Sequence, residues 1–135
     1  MKNLTKNLFR VLFLALISMS LFMTSCEDDD DVDPIVGTWA LDKVEAMSMT
    51  FTPEQMGMSI TIIMNEDGTL SGNYSDDTGT ESISGTWERI DSETVKIYDN
   101  SDTLTLKKEG EYYTITEQDY IGDTLITMKM FFKKQ

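Results

Sequence analysis

The chain lacks the residues on which most enzyme chemistry depends. It contains no histidine and a single cysteine, Cys26, among 135 residues. The absence of histidine removes the commonest general base and the commonest metal ligand. Ser–His–Asp and Cys–His catalytic arrangements are therefore excluded, as is a zinc site built on these ligands. We expect a protein that is not an enzyme and that carries no cofactor or metal.

Basic residues are also scarce, with 11 Lys and Arg against 24 Asp and Glu. Three of the 11, Lys2, Lys6 and Arg10, lie in the first ten residues, where no acidic residue occurs. The rest of the chain is therefore strongly anionic. Because such a surface repels phosphate backbones, no nucleic acid is expected among the partners.

The first 25 residues have the pattern of a secretory signal peptide. The basic start is followed by a short apolar run at 11–17, which is then interrupted by Ser18 and Ser20. A helix that spans a membrane needs roughly 20 apolar residues, so a removable leader is favoured over a permanent span. Residues 1–25 are interpreted as a signal peptide.

The segment Met23-Thr24-Ser25-Cys26 resembles a bacterial lipobox. The resemblance implies that the Cys26 thiol receives a diacylglycerol and that Cys26 becomes the first residue of the mature protein. The competing interpretation is a free or buried thiol. Two or more acyl chains anchor a protein stably, so the membrane is an expected partner through this N-terminal lipid anchor.

Residues 26–34 form an acidic tether, Cys26-Glu-Asp-Asp-Asp-Asp-Val-Asp-Pro34. A run of like charges repels itself and stays solvated, so a plain spacer is one interpretation. The run also resembles the acidic export signal that follows the lipidated cysteine in one large group of Gram-negative bacteria. That resemblance implies the outer membrane, with exposure on the cell surface as one orientation. A calcium loop is a weaker alternative, because no glycine turn is present.

Residues 35–135 are predicted to form one all-β domain. Short alternating runs rich in Val, Ile, Thr, Tyr and Phe are separated by turn residues, which is typical of a sandwich or barrel. Short connections indicate an antiparallel up-and-down meander, and closure into an eight-stranded barrel would remove its edges. The predicted strands lie at about 36–45, 58–65, 69–75, 80–90, 95–98, 104–108, 112–116 and 124–133.

The only long connection, from Ala46 to Gly57, is predicted to hold a short helix or flap that begins after Thr52. Apolar residues of this connection could line the mouth of a cavity or plug a filled core, and both interpretations stay open. Paired methionines could also bind Cu(I), but packing is preferred, since methionine commonly fills gaps. The candidate ligand-binding residues at the mouth and interior are Met47, Met49, Phe51, Met56, Met58, Tyr74 and Tyr113.

Gly37-Thr38-Trp39 in the first strand resembles the Gly-x-Trp signature of lipocalins. With the lipobox, the tether and the domain length, the chain resembles the bacterial lipocalin-like domain lipoproteins. The resemblance implies that Gly37 and Trp39 form the barrel floor, with a basic residue over the Trp, for which Lys129 or Lys133 is a candidate. A second triplet, Gly85-Thr86-Trp87, is interpreted as a strand feature without function.

The preferred hypothesis is a monomeric, lipid-anchored binding module for a small hydrophobic ligand. We expect the aromatic residues Trp39, Tyr74, Trp87, Tyr113 and Phe131 to turn into the barrel. If they fill it, the alternative is a cell-surface interaction or structural protein whose outer face binds a protein or glycan.

Replacing Cys26 tests the anchor. Cys26→Ala should move the protein from the membrane fraction to the soluble fraction, because the acyl chains supply the membrane affinity. Metabolic labelling with a palmitate analogue and fractionation measure both properties, and Ser20→Ala serves as a control that retains the thiol. A membrane-bound, unlabelled wild type would contradict the lipoprotein interpretation.

Overall fold

The computed structural model describes residues 32–100 and 102–135. In that part of the chain, no helix is long and apolar enough to cross a membrane. Strands dominate the described residues, and a single four-residue helix, α1, spans Pro53–Met56. The strands are β1 Gly37–Ala46, β2 Met49–Phe51, β3 Ser59–Met64, β4 Thr69–Asp76, β5 Gly79–Arg89, β6 Thr94–Asp99, β7 Thr103–Glu109, β8 Tyr112–Ile121 and β9 Thr124–Lys134.

Eight strands close into an antiparallel barrel. From β3 to β9 each strand pairs with the next along the chain, and β1 pairs with both β3 and β9. The three-residue strand β2 pairs only with the end of β1. The predicted all-β fold, an eight-stranded antiparallel up-and-down barrel with one short helix after the first strand, is confirmed.

The two ends of the barrel differ. At one end, called the mouth, lie the β1–β3 connection and the β4–β5, β6–β7 and β8–β9 turns. At the other, called the closed end, lie the segment that precedes β1 and the β3–β4, β5–β6 and β7–β8 turns. The hairpin of β8 and β9 extends beyond the barrel at the mouth, since residues 117–121 pair with 124–128 but not with β7.

A bulge in β1 changes which residues face the interior. The register against β9 shifts between Leu41 and Lys43. Trp39 and Leu41 are buried before the bulge and Val44 after it. The extra residue at a bulge reverses the alternation of side chains. The bulge therefore keeps Lys43 on the outer face, where its ammonium lies 4.2 Å from the centroid of the Phe131 ring.

The position of Phe131 corrects the expectation that this ring turns inward. Phe131 is buried on the outer face, where Tyr112 packs edge-on against it at 5.7 Å between ring centroids. Its neighbour Phe132 faces the interior instead. Both rings are buried, so hydrophobicity alone does not tell the two faces of β9 apart.

The helix α1 begins as the sequence predicts. Thr52 is its N-cap, and its side chain accepts a hydrogen bond from the Gln55 backbone amide at 3.3 Å. The Gln55 side chain in return accepts one from the Thr52 amide at 2.8 Å. This reciprocal capping satisfies two amides at the helix start. The helix ends at Gly57, whose φ of 63° suits glycine.

Two inward-facing glycines allow the sheet to curve. A Cβ atom at Gly72 would collide with the carbonyl oxygen of Thr61, and one at Gly85 with that of Tyr98. Adjacent strands therefore approach closely at these points, as occurs where a barrel bends sharply. Because neither glycine has a side chain, both positions also leave space inside the barrel.

Gly72→Ala should lower the free energy of unfolding by about 1–3 kcal/mol, because the new methyl group must push two strand backbones apart. Ser71→Ala, on the exposed side of the same strand, is the matched control and should change the free energy by less than about 0.5 kcal/mol. Urea denaturation followed by circular dichroism measures both. Equal stability of the two variants would contradict the close approach of β3 and β4.

Candidate functional site

The barrel encloses an apolar cavity with a volume of about 420 Å³. This volume lies within the range of about 300–1,000 Å³ that is typical of small-molecule sites. Every strand of the barrel contributes to its wall, and so does α1. The lining residues are Val44, Met56, Met58, Ile60, Ile62, Leu70, Tyr74, Ile83, Ile97, Asp99, Leu104, Ile115, Glu117, Met128, Met130 and Phe132.

The alternation of side chains along the strands explains this wall. Ile60 and Ile62 of β3 face inward, as do Met128, Met130 and Phe132 of β9. Residues between them, such as Thr61 and Lys129, belong to the opposite face. The alternating residues thus supply an aliphatic and methionine-rich interior.

Packed aromatic rings occupy the closed end. Trp39 and Tyr113 are both buried, and their rings meet edge to face with centroids 5.0 Å apart. The indole Nε1 of Trp39 donates a hydrogen bond to the carbonyl oxygen of Ile35 at 2.7 Å. This bond satisfies the only polar atom of the indole, and the fully buried Ile35 adds further apolar cover.

An ion pair fixes the start of the domain to the closed end. The Nε and Nη2 atoms of Arg89 both donate to the carboxylate of Asp33. Nη2 also donates to the hydroxyl of Tyr113 at 3.3 Å. The guanidinium holds the pKa of Asp33 below its ordinary value, mainly through the side-chain hydrogen bond. Asp33, Arg89 and Tyr113 thus join three distant parts of the chain beneath the cavity.

A lysine lies over the floor tryptophan, but it is neither Lys129 nor Lys133. The ammonium of Lys134 lies 5.7 Å from the centroid of the Trp39 ring and donates to the carbonyl of Pro34 at 3.1 Å. The stem of Lys134 passes so close to Gly37 that a Cβ atom there would lie 2.7 Å from its Cε. Gly37 also has a φ of +135°. Its lack of a side chain therefore makes room for the lysine.

The second Gly-Thr-Trp triplet shares one contact with the first. The indole Nε1 of Trp87 donates to the carbonyl oxygen of Asn65 at 2.8 Å, also at the closed end. Each of the two triplets therefore places an indole whose N–H binds a backbone carbonyl of a preceding segment. The contacts of Trp87 are structural, and it does not border the cavity.

The candidate ligand-binding residues occupy different levels of the barrel. Met56, Met58 and Tyr74 line the cavity. Met49 pairs with Ala46 and Phe51 with Val44 across the β1–β2 hairpin. Neither residue lines the cavity, and Met49 is exposed. Met47 lies in the exposed turn of that hairpin. Tyr113 lies at the closed end and outside the cavity lining.

The cavity has its polar groups at the mouth. The hydroxyl of Tyr74 donates to Oδ2 of Asp76 at 3.0 Å, and this carboxylate raises the pKa of the tyrosine. Asp99 and Glu117 also line the cavity, and the sequence interpretation did not single them out. The alternation of side chains could have identified them, because Asp99 lies two residues after Ile97 and Glu117 two after Ile115.

This arrangement suits a molecule with an apolar body. Aliphatic and thioether groups surround the interior. The polar lining residues lie at the mouth, where they would contact only the end of a bound molecule. Within residues 32–100 and 102–135, His, Cys, Asp and Glu side chains form no cluster of three or more that could hold a metal ion.

The Asp33–Arg89 pair makes stability depend on pH. Asp33→Asn should lower the free energy of unfolding by about 1–2 kcal/mol at pH 7. The folded-state pKa of Asp33 is below its unfolded value, so the pair stabilises fully above about pH 4 and this contribution is lost as pH falls through the folded pKa. Urea unfolding between pH 3 and 7 measures the difference, with exposed Asp123→Asn as the control. A pH-independent difference would contradict the pair.

Comparison with known proteins identifies no relative of this chain. No family model matches the chain, and no curated protein matches its sequence. The structural resemblance therefore depends on the barrel itself: eight antiparallel strands in sequential order, closed between β1 and β9, with the Gly37-Thr38-Trp39 triplet at the closed end. This architecture is consistent with a lipocalin-like fold.

Proposed function

We propose that this protein is a non-catalytic binding module that holds a small hydrophobic molecule inside its barrel. The observation that carries the proposal is the apolar cavity of about 420 Å³, which is closed below by Trp39 and Tyr113. A filled barrel of this strand number would have no such space. The cavity therefore favours ligand binding over the alternative of a solid interaction protein.

The apolar wall can supply enough free energy for useful affinity. Each buried methylene contributes about 0.8 kcal/mol, so a chain of eight contributes roughly 6 kcal/mol. As a gross term, before the entropic cost of association is subtracted and before any polar contact is counted, that is equivalent to a dissociation constant of tens of micromolar. The methionines of the wall, including Met56, Met58 and Met128, can adapt to ligands of different shape, because their side chains are unbranched.

We further propose that the module is a lipoprotein of the outer membrane, anchored through Cys26. Cys26 lies outside the described residues, so this proposal comes from the sequence. The ion pair of Asp33 with Arg89 fixes the start of the domain to the closed end. An anchor that acts through that end leaves the mouth free to admit a ligand.

Filling the cavity tests the proposed function. Leu104→Trp adds an indole to the wall and should weaken binding of the neutral probe N-phenyl-1-naphthylamine at least about tenfold, because it occupies the ligand's space. The matched control is Thr105→Trp, which adds the same ring to the exposed neighbouring position of β7. Probe fluorescence measures binding, and circular dichroism confirms the fold of each variant.

Three results would count against the proposal. The first is a wild-type protein that does not bind the probe. The second is equal weakening by Leu104→Trp and Thr105→Trp, which would place the probe on the outer surface. The third is unchanged binding in Leu104→Trp with the fold retained, which would show that the cavity is not the binding site.

A further inference from the structure

Acidic and basic residues at inward-facing strand positions lie at opposite ends of the barrel. At the mouth, Asp99 and Glu117 line the cavity. Glu81 lies directly across from Tyr74, which also lines it, so Glu81 belongs to the same inward-facing row. Asp76 adds a fourth carboxylate, held by the Tyr74 hydroxyl at 3.0 Å. The mouth is therefore anionic.

The inward-facing basic residues lie at the opposite end. Arg89 pairs with Val95, Lys108 with Tyr113 and Lys134 with Trp39 across their strands. These three pairings are all at the closed end, below the cavity. Across residues 32–100 and 102–135, no Lys or Arg side chain lines the cavity.

Among the described residues, no salt bridge neutralises the carboxylates of Asp99 and Glu117. In the part of the chain that the structure describes, the salt bridges involve Asp33, Glu45, Glu109 and Glu111, and neither Asp99 nor Glu117 takes part. Asp99 is exposed and Glu117 is half-buried, so both lie where the apolar cavity meets water. A ligand whose apolar body fills the cavity would place its polar head beside these carboxylates.

We infer that the ligand is a cationic amphiphile, with an apolar body in the cavity and a protonated amine at the mouth. This inference rests on the proposed function. An ammonium group would be attracted to Asp99 and Glu117, and it could donate a hydrogen bond to either carboxylate. A fatty-acid carboxylate would meet like charges there and find no basic residue among the described lining. The charge of the mouth thus selects the ligand's head group, and the wall selects its body.

The test compares three molecules with the same ten-carbon chain: decylamine, decanol and decanoate. Each competes with N-phenyl-1-naphthylamine at pH 7.5 and low salt, where the amine is protonated and the acid ionised. We expect decylammonium to bind about tenfold more tightly than decanol, and decanoate more weakly than decanol. The advantage of the amine should shrink as salt is added.

A double variant connects that preference to the mouth. Asp99→Asn with Glu117→Gln should remove most of the roughly tenfold advantage of decylammonium and leave the affinity for decanol within about twofold. The control double variant is Glu66→Gln with Glu88→Gln, which removes two exposed carboxylates away from the cavity. It should retain the preference, because the net charge of the protein is matched but the mouth is intact.

The outcomes separate the two proposals. Binding of decanol without any preference for the amine would overturn the cationic ligand and leave the cavity as a binding site. A preference that survives in the Asp99→Asn, Glu117→Gln variant would also overturn it. Failure of all three molecules and of the probe to bind would overturn the proposed function itself.

Discussion

The pairing of β1 with β9 is the constraint on which the rest of the structure depends. It joins the two ends of the meander from Trp39↔Lys134 to Ala46↔Met128 and removes the sheet edges. A closed single-layer sheet has one face inside, so every second residue must be compatible with the interior. The bulge at residue 42 allows β1 to meet this condition, because it moves Lys43 outward and Val44 inward.

The two ends of the closed barrel are unequal. At the closed end, Trp39, Tyr113 and the Arg89–Asp33 pair fill the cross-section and satisfy their own polar atoms. At the mouth, the β1–β3 connection contributes Met56 and Met58 to the wall without filling it. Space remains between the two ends partly because Gly72 and Gly85 face inward and have no side chain. The missing side chains of these glycines thus contribute to the cavity, and its chemistry follows from which residues alternate with the outer face.

Much of this architecture could be predicted from the sequence, because seven of the predicted strands are separated by turn residues at short intervals. The strand β2 was missed, since three residues show no periodicity. The end of β8 was missed because Glu117, Gln118 and Asp119 look like a turn, whereas they form a projecting hairpin. The alternation predicts which residues share a face of the sheet, but not which face is inside, as Phe131 shows, nor how deep a residue lies. Tyr113 therefore lies at the closed end and not near the expected ligand. The contacts of Asp33 with Arg89 and of Lys134 with Trp39 join residues far apart in sequence, which no local pattern reveals.

Native mass spectrometry of the protein after gentle extraction from its own membrane tests the central claim most directly. If the barrel is a binding module, part of the population should carry one noncovalent small molecule that dissociates on collisional activation and enters an organic extract. The bound mass should be absent from the Leu104→Trp variant prepared in the same way. A wild-type protein that is consistently empty, from cells in which it is normally made, would contradict the account.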